Sequence, residues 1–216
     1  MGLTQEIKEM ISKVSTGNIC DAITRLGMNP NVMAPLSKFS DSGRLVGIAM
    51  TILQVPKHSR PISENKTRHV EVFDGTQDVQ GKVLVIGAGN RTDTCTFGAL
   101  LAMRWGLRGG AGIITDSGVR DVEDLRKLDI PIYARCGNPV ASKVKLETSG
   151  VQIPVECAGA IVTSGDLIVG DDTGIVVVPA EMVQNVIPIA VEIALNEKYL
   201  EKCVREGQGL REARKN

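Results

Sequence analysis

Aromatic residues are scarce in this chain, where tryptophan, tyrosine and phenylalanine make up 3% of 216 residues. Proteins that bind single-stranded nucleic acid stack its bases on aromatic side chains, so this scarcity argues against that function. An excess of positive charge is also lacking, because 25 Lys and Arg side chains balance 25 Asp and Glu side chains. A neutral chain lacks the attraction that draws proteins to nucleic acid or to anionic membranes. We therefore expect neither as a partner.

Long apolar runs and paired cysteines are lacking as well. Nothing in the sequence resembles a transmembrane segment, and residues 1–13 form a polar, helix-like stretch that does not resemble a signal peptide. The cysteines show no Cys-x-x-Cys pair, which predicts reduced thiols in a cytoplasmic protein and argues against a zinc site. With only two histidines to activate a thiol, each cysteine is expected to be a small buried residue. The five are Cys20, Cys95, Cys136, Cys157 and Cys203.

The composition that remains is that of a globular protein. Hydrophobic residues make up 43% of the chain and charged residues 23%. That proportion can form a full core, and the length suits one domain. The sequence contains no evident boundary, repeat or low-complexity segment, so we predict a single domain over residues 1–216.

A short apolar run over residues 111–114 is followed by an abrupt polar turn. The run is typical of a buried strand, and Gly118 allows the chain to turn sharply where that strand ends. Arg120 and Asp121 follow the turn. A guanidinium group suits a substrate carboxylate, and an aspartate suits a hard divalent cation. Taken alone, the pair is also compatible with a surface ion pair that opens a helix over residues 122–128.

A second polar stretch, residues 87–98, joins a predicted strand over residues 82–86 to a predicted helix over residues 99–107. A polar loop that opens a helix presents unpaired backbone N–H groups, which suit an anion. The stretch lacks the Walker A ending and the GxGxxG pattern, so the anion could be a carboxylate as easily as a phosphate. In a β-α-β unit, both polar stretches would lie at the carboxyl ends of adjacent strands. There the amides of residues 99–101 and the Arg120 side chain would converge on one small carboxylate.

Four basic side chains occur together in the predicted polar loop over residues 57–68. Such a cluster is typical of a solvated loop, and it could also reach an anionic substrate. The four are His58, Arg60, Lys66 and Arg68.

Short β-like runs over residues 140–178 predict a compact antiparallel layer, beginning with a run at residues 140–146. Asp171 and Asp172 fall at a predicted turn, where aspartate is favoured by turn chemistry; metal ligation is the alternative. From residue 180 a long helix is predicted to run to residue 214. A terminal helix of this kind often packs on a neighbouring subunit.

Several motifs together resemble the RraA-like family, which includes the class II pyruvate aldolases acting on 4-hydroxy-4-methyl-2-oxoglutarate and 4-carboxy-4-hydroxy-2-oxoadipate. The resemblance covers nearly the whole chain and implies an α/β fold, a swivelling β/β/α sandwich. It also implies assembly as a homotrimer or as a homohexamer formed by two trimers, with active sites between subunits. The sharpest matches are Phe97-Gly-Ala-Leu-Leu-Ala102, Thr115-Asp-Ser-Gly-Val-Arg-Asp121 and Asp171-Asp-Thr-Gly-Ile-Val-Val-Val-Pro179.

The resemblance also implies a chemistry. Asp121 would bind Mg²⁺ or Mn²⁺, and Arg120 would bind the pyruvate part of a 2-oxo acid. The backbone from Gly98 and Ala99 to Leu100 and Leu101 would hold the pyruvate carboxylate. Cleavage of a C–C bond would leave a pyruvate enolate, as expected of a lyase that is an aldolase, an oxaloacetate decarboxylase or both.

One position departs from the family pattern. Active aldolases have an aspartate or glutamate where this chain has Ala99, and that acid steadies the water that carries protons. Asp93, Glu192 and Glu197 are the candidate replacements. Two other functions stay open: a non-catalytic RraA-type regulator that binds a ribonuclease, and a metal-dependent enzyme of other chemistry on a small polar acid.

Overall fold

The computed structural model describes residues 3–57 and 69–214. Two compact units emerge from its contacts: a β-rich unit between residues 31 and 180, and a helical unit of residues 3–30 with the segment from residue 181. The single domain over the whole chain stays a prediction. The predicted basic loop, with His58, Arg60, Lys66 and Arg68, lies outside the described residues.

The elements are numbered here in chain order. The helices are α1 (Gln5–Ile11), α2 (Thr16–Arg25), α3 (His69–Asp74), α4 (Ala99–Leu107), α5 (Val122–Leu125), α6 (Ser142–Lys145), α7 (Val183–Arg205) and α8 (Leu210–Ala213), with a 3₁₀ turn at Ala180–Met182. The strands are β1 (Asn31–Met33), β2 (Ser37–Lys38), β3 (Leu45–Pro56), β4 (Lys82–Gly87), β5 (Cys95–Phe97), β6 (Gly112–Thr115), β7 (Gly118–Val119), β8 (Ile132–Ala134), β9 (Cys136–Gly137), β10 (Leu146–Val151), β11 (Val155–Cys157), β12 (Ala160–Val162), β13 (Leu167–Gly170) and β14 (Ile175–Val178).

A nine-stranded mixed sheet forms the body of the β-rich unit, in the order β1-β14-β13-β3-β4-β6-β8-β2, with β10 also paired to β3. Its centre, β3-β4-β6-β8, is parallel. The residues of β4 and β6 are almost all buried, as expected of parallel strands covered on both faces. The predicted α/β fold is confirmed, and so are the adjacent parallel strands on either side of α4.

A smaller parallel sheet, β5-β7-β9, continues the three strands β4, β6 and β8 in the same order. Along the chain, β5 follows β4, β7 follows β6 and β9 follows β8, each after a short connection. Because the three strands are parallel, their carboxyl ends meet at one edge, where Gly98, Arg120 and Asn138 follow β5, β7 and β9. The predicted polar stretch at residues 87–98 therefore includes a strand that its sequence did not indicate.

Helix α4 is anchored by the only tryptophan of the chain. Trp105 is fully buried and packs edge-on against Phe73, with the ring centroids 6.1 Å apart. Phe73 also lies 6.1 Å from Phe97 at the end of β5. This aromatic cluster ties the body of α4 to the strand that precedes it, so the first residues of α4 have a defined position relative to the small sheet.

Some predicted elements were wrong in kind or length. Residues 142–145 form helix α6 where a strand was predicted. A strand with this alternating pattern would bury its apolar side chains on one face, and Val144 is instead 62% exposed. The predicted terminal helix ends at residue 205, and Gly207 takes a left-handed φ of 89° before α8. The predicted helix from residue 122 ends at residue 125. No helix in the described ranges is both long and apolar enough to cross a bilayer.

Candidate functional site

Arg120 and Asp121 leave strand β7 side by side at the edge of the small sheet. The Arg120 N–H donates to the carbonyl of Phe97 at 3.2 Å, which continues the pairing of β7 with β5 beyond Val119. The two side chains are 47% and 45% exposed, and Arg120 Nε lies 3.6 Å from Asp121 Oδ2. Both charged groups are therefore held by the sheet and remain within reach of a ligand.

Asp121 has a left-handed backbone conformation, with φ of 58°. For a residue other than glycine this conformation costs about 1–3 kcal/mol and persists where surrounding contacts enforce it. Here the Asp121 carbonyl accepts the N–H groups of Asp124 and Leu125, both at 3.0 Å, as helix α5 begins. The turn thus directs the peptide carbonyl to α5 and leaves the carboxylate facing the other way, toward α4.

Gly98 makes this approach possible. A Cβ atom at residue 98 would lie 2.5 Å from Asp121 Oδ2 and 2.9 Å from Arg120 Nε. Next to it, the Ala99 N–H donates to Asp121 Oδ2 at 3.3 Å. The structure therefore brings together four of the predicted site residues, and the N-terminus of α4 already faces a carboxylate.

Leu100 and Leu101 lie in the first turn of α4, where N–H groups have no carbonyl partner within the helix. The Leu100 side chain is 78% exposed, whereas Leu101 packs partly against the core. Their predicted role concerns the backbone amides, and the position of the helix start is compatible with it.

The donor set around Asp121 suits a hard cation with few protein ligands. Within residues 3–57 and 69–214, no three His, Cys, Asp or Glu side chains lie together as a metal cage would require. Mg²⁺ commonly uses one or two carboxylates and completes its shell with water and substrate oxygens. A half-exposed Asp121 fits that mode, while zinc sites use three or four protein ligands. Asp171 instead accepts the Thr173 N–H at 2.9 Å within its turn.

Asp93 is held between two cations. Its Oδ2 lies 2.7 Å from Arg91 Nη2 and 2.8 Å from Lys145 Nζ. Hydrogen bonds from Arg91 and then from Lys145 hold the pKa of the Asp93 carboxyl well below its usual range. A carboxylate so stabilised is a weak base at neutral pH, which argues against Asp93 as a proton carrier in place of an acid at residue 99.

The other two candidate replacements belong to α7 of the helical unit. Glu192 Oε1 lies 2.8 Å from Arg25 Nη1, and Glu197 Oε2 accepts the Asn18 side-chain amide at 2.6 Å. Both pairs join α7 to α2, so each carboxylate has a structural partner within its own unit.

The cysteines give no sign of a nucleophile. All five are free thiols; Cys95, Cys157 and Cys203 are buried as predicted, whereas the prediction was wrong for Cys20 and Cys136, which are only partly buried. Burial raises the pKa of the Cys95 thiol, although Arg120 opposes that shift. A neutral, buried thiol is a poor nucleophile, so Cys95 is a core residue beside the site.

Two residues that shape the site were not predicted from the sequence. Asp116, in the motif before Gly118, is fully buried and accepts the N–H groups of Ala88 and Asn90 at 2.6 and 2.9 Å, which ties the loop after β4 to the end of β6. Burial raises the pKa of this carboxyl. Asn138, at the end of β9, was also missed; the carboxyl-end rule applied to a third parallel strand would have indicated it.

Comparison with known proteins identifies relatives over most of the chain. The family model described as RraA-like, aldolase/RraA, matches residues 16–177. A Halalkalibacterium halodurans protein named "Putative 4-hydroxy-4-methyl-2-oxoglutarate aldolase" is 27% identical over 89% of this chain and 86% of its own. An uncharacterized protein from Methanocaldococcus jannaschii is 35% identical over 59% of this chain; the match spans 61% of that relative's length, less than two thirds.

A solved structure has the same fold as this chain. The crystal structure of Streptomyces coelicolor RraAS2, described as an unusual member of the RNase ES inhibitor RraA protein family, has a TM-score of 0.79 and 28% identity. The match covers 95% of this chain and 98% of that one.

Proposed function

Since the chain belongs to the RraA-like family, we propose that it is a divalent-metal-dependent lyase that cleaves a C–C bond of a 2-oxo acid by way of a pyruvate enolate. The observation that carries the proposal is the close convergence of a carboxylate, a guanidinium group and a helix N-terminus at Gly98. Relatives named as aldolases point to the same class of reaction.

Asp121 is the residue that would hold Mg²⁺ or Mn²⁺ in this proposal. Bound there, the cation supplies positive charge that stabilises the negative charge developing on the substrate. Arg120 binds the oxygens of the 2-oxo acid, and the amides at the start of α4 bind its carboxylate, a group that helix N-termini favour. Gly98 leaves the space in which these donors meet.

Ala99 favours decarboxylation over aldol cleavage. Aldol cleavage must remove a proton from the substrate hydroxyl, which requires a general base. Decarboxylation of oxaloacetate, whose second carboxylate is β to the keto group, removes no such proton: the C–C bond breaks, carbon dioxide leaves, and the electron pair remains as the enolate, which takes a proton from water to give pyruvate. A site with Arg120 and Asp121 but with alanine at residue 99 therefore retains what decarboxylation needs.

The direct test is the decarboxylation of oxaloacetate by the wild-type protein with Mg²⁺, with Mn²⁺ and with a chelator. We expect turnover well above that of the free metal ion at the same concentration, measured as pyruvate formed. Turnover that the chelator leaves unchanged would contradict the proposal.

Gly98→Ala is expected to lower kcat/KM for that reaction at least tenfold, because displacement of a catalytic group by about 1 Å can cost up to 100-fold. The added methyl group would displace the Asp121 carboxylate and the Arg120 side chain at Cγ and Nε, while the extended backbone of residue 98, with φ of −133°, accepts alanine. Gly43→Ala is the matched control, since a Cβ there meets no atom within 4 Å. Equal activity of the two variants, with equal thermal stability, would contradict the assigned role of Gly98.

A second candidate function is that of a non-catalytic regulator that binds a ribonuclease. It is favoured by Ala99, which removes the acid that the aldolases carry, and by the likeness to RraAS2. The absence of turnover with either metal ion would make this the leading function.

A further inference from the structure

Asn138 lies at the same edge of the small sheet as Gly98 and Arg120. Strand β9 ends at Gly137, and the N–H of Asn138 donates to the carbonyl of Val119 at 2.8 Å. Val119 directly precedes Arg120, so the third strand is attached to the second at the point where the charged pair begins.

The side-chain amide of Asn138 is bonded to backbone on both sides. Its Nδ2 donates to the carbonyl of Thr92 at 2.9 Å, and its Oδ1 accepts the N–H of Val140 at 2.8 Å. The second bond closes a turn of the kind that asparagine forms with the residue two positions later. Through these two bonds the side chain holds the backbone on both sides of it in place.

The turn at residue 138 directs the Val140 carbonyl to the start of β5. That carbonyl accepts the N–H of Cys95 at 2.8 Å and the hydroxyl of Thr94 at 3.0 Å. At the other end of β5, the Phe97 carbonyl accepts the N–H of Arg120. Asn138 is therefore linked to Arg120 indirectly, by hydrogen bonds at the two ends of β5, in addition to its direct bond to Val119.

We propose that Asn138 is a positioning residue of this site: it holds β5 and β7 together so that Gly98, Arg120 and Asp121 keep their mutual geometry. The inference rests on the proposed lyase function. It predicts that substitution of Asn138 lowers kcat and metal affinity, whereas loss of a comparable hydrogen bond elsewhere in the chain lowers neither.

The test compares Asn138→Ala with Asn138→Ser. Alanine removes both side-chain bonds, whereas a serine hydroxyl can still accept the N–H two residues later. We expect Asn138→Ala to lower kcat for oxaloacetate decarboxylation about tenfold, by the sensitivity of catalysis to small displacements. Mn²⁺ affinity, measured from the electron paramagnetic resonance signal of the free ion, should weaken several-fold. Asn138→Ser should recover most of both.

Asn31→Ala is the matched control, since the Asn31 side chain also donates to a backbone carbonyl, that of Ile161 at 2.7 Å, in another sheet. We expect this variant, which loses one side-chain hydrogen bond where Asn138→Ala loses two, to keep wild-type kcat and Mn²⁺ affinity; thermal stability is measured for both. Wild-type kcat and Mn²⁺ affinity in Asn138→Ala would overturn the role of Asn138 and leave the proposed lyase function standing. Losses of kcat and Mn²⁺ affinity in Asn31→Ala equal to those in Asn138→Ala would do the same. A wild-type protein with neither turnover nor Mn²⁺ binding would overturn the proposed function itself, and this inference with it.

Discussion

Asp121→Asn is expected to reduce metal-stimulated decarboxylation of oxaloacetate by about 100- to 1,000-fold, the loss typical when a group that stabilises developing charge is removed. The replacement keeps the shape of the side chain, and asparagine tolerates the left-handed backbone that residue 121 adopts. Its amide oxygen can still accept the Ala99 N–H. What disappears is the negative charge that a divalent cation requires, so Mn²⁺ binding should be lost together with activity.

The control for this variant is Asp124→Asn, three residues along the chain. Asp124 lies in α5 and its carboxylate pairs with Lys127 at 2.8 Å on the surface. Pyruvate formation and Mn²⁺ affinity are measured for both variants, and Asp124→Asn should match the wild type. Metal-stimulated turnover that survives in Asp121→Asn would remove the lyase site from Arg120 and Asp121.

Ala99→Asp is expected to create or increase aldol cleavage of 4-hydroxy-4-methyl-2-oxoglutarate by at least tenfold, since a well-placed general base contributes about 100- to 10,000-fold. Residue 99 is the first of α4, where a carboxylate is favoured by the helix dipole. Its backbone N–H contacts Asp121, so a carboxylate at residue 99 that turns toward Asp121 would repel it without a cation and bind a divalent cation together with it. Oxaloacetate decarboxylation should change much less, because it removes no hydroxyl proton.

Pyruvate release from each substrate measures this difference, with Ala99→Asn as the control of equal size and no charge. Residue 99 is 7% exposed in the structure, so the asparagine variant also reports any cost of placing a polar side chain there. The same gain in both variants would mean that the charge at residue 99 is not what aldol cleavage lacks. A rise in decarboxylation equal to the rise in aldol cleavage would contradict the distinction between the two reactions.

Helix α4 and the strands β4 and β6 were the elements around the site that the sequence predicted best. Helix α4 begins and ends at the residues predicted, and the predicted strands β4 and β6 are adjacent and parallel. Their signals are local: an apolar run too short for a helix, a polar break, and a glycine at the turn. The short strands β5, β7 and β9 carry no such signal, because two or three residues are too few to show a period and their pairing partners are distant in the chain.

Side-chain partners were the least predictable part. Asp93 was a candidate proton carrier in the sequence, and the structure pairs it with Arg91 and with Lys145, which lies 52 residues further along the chain. The run that contains Lys145 was predicted as a strand and forms a helix. An ion pair of this kind depends on where a loop and a helix from distant parts of the chain meet, which no local pattern encodes.

The sequence by itself determined that Arg120 and Asp121 follow a buried strand, and that the helix preceding this strand begins directly after a glycine. Both could be predicted because the signals for strands, turns and helices act over a few residues. Only the tertiary structure decided which groups meet there. It brings Gly98 so close to Asp121 that a Cβ would lie 2.5 Å from the carboxylate, and it adds Asn138 from a third strand. The physical reason is that hydrogen bonds and van der Waals contacts between distant segments depend on distances of a few tenths of an ångström, which are set when the sheets pair and pack.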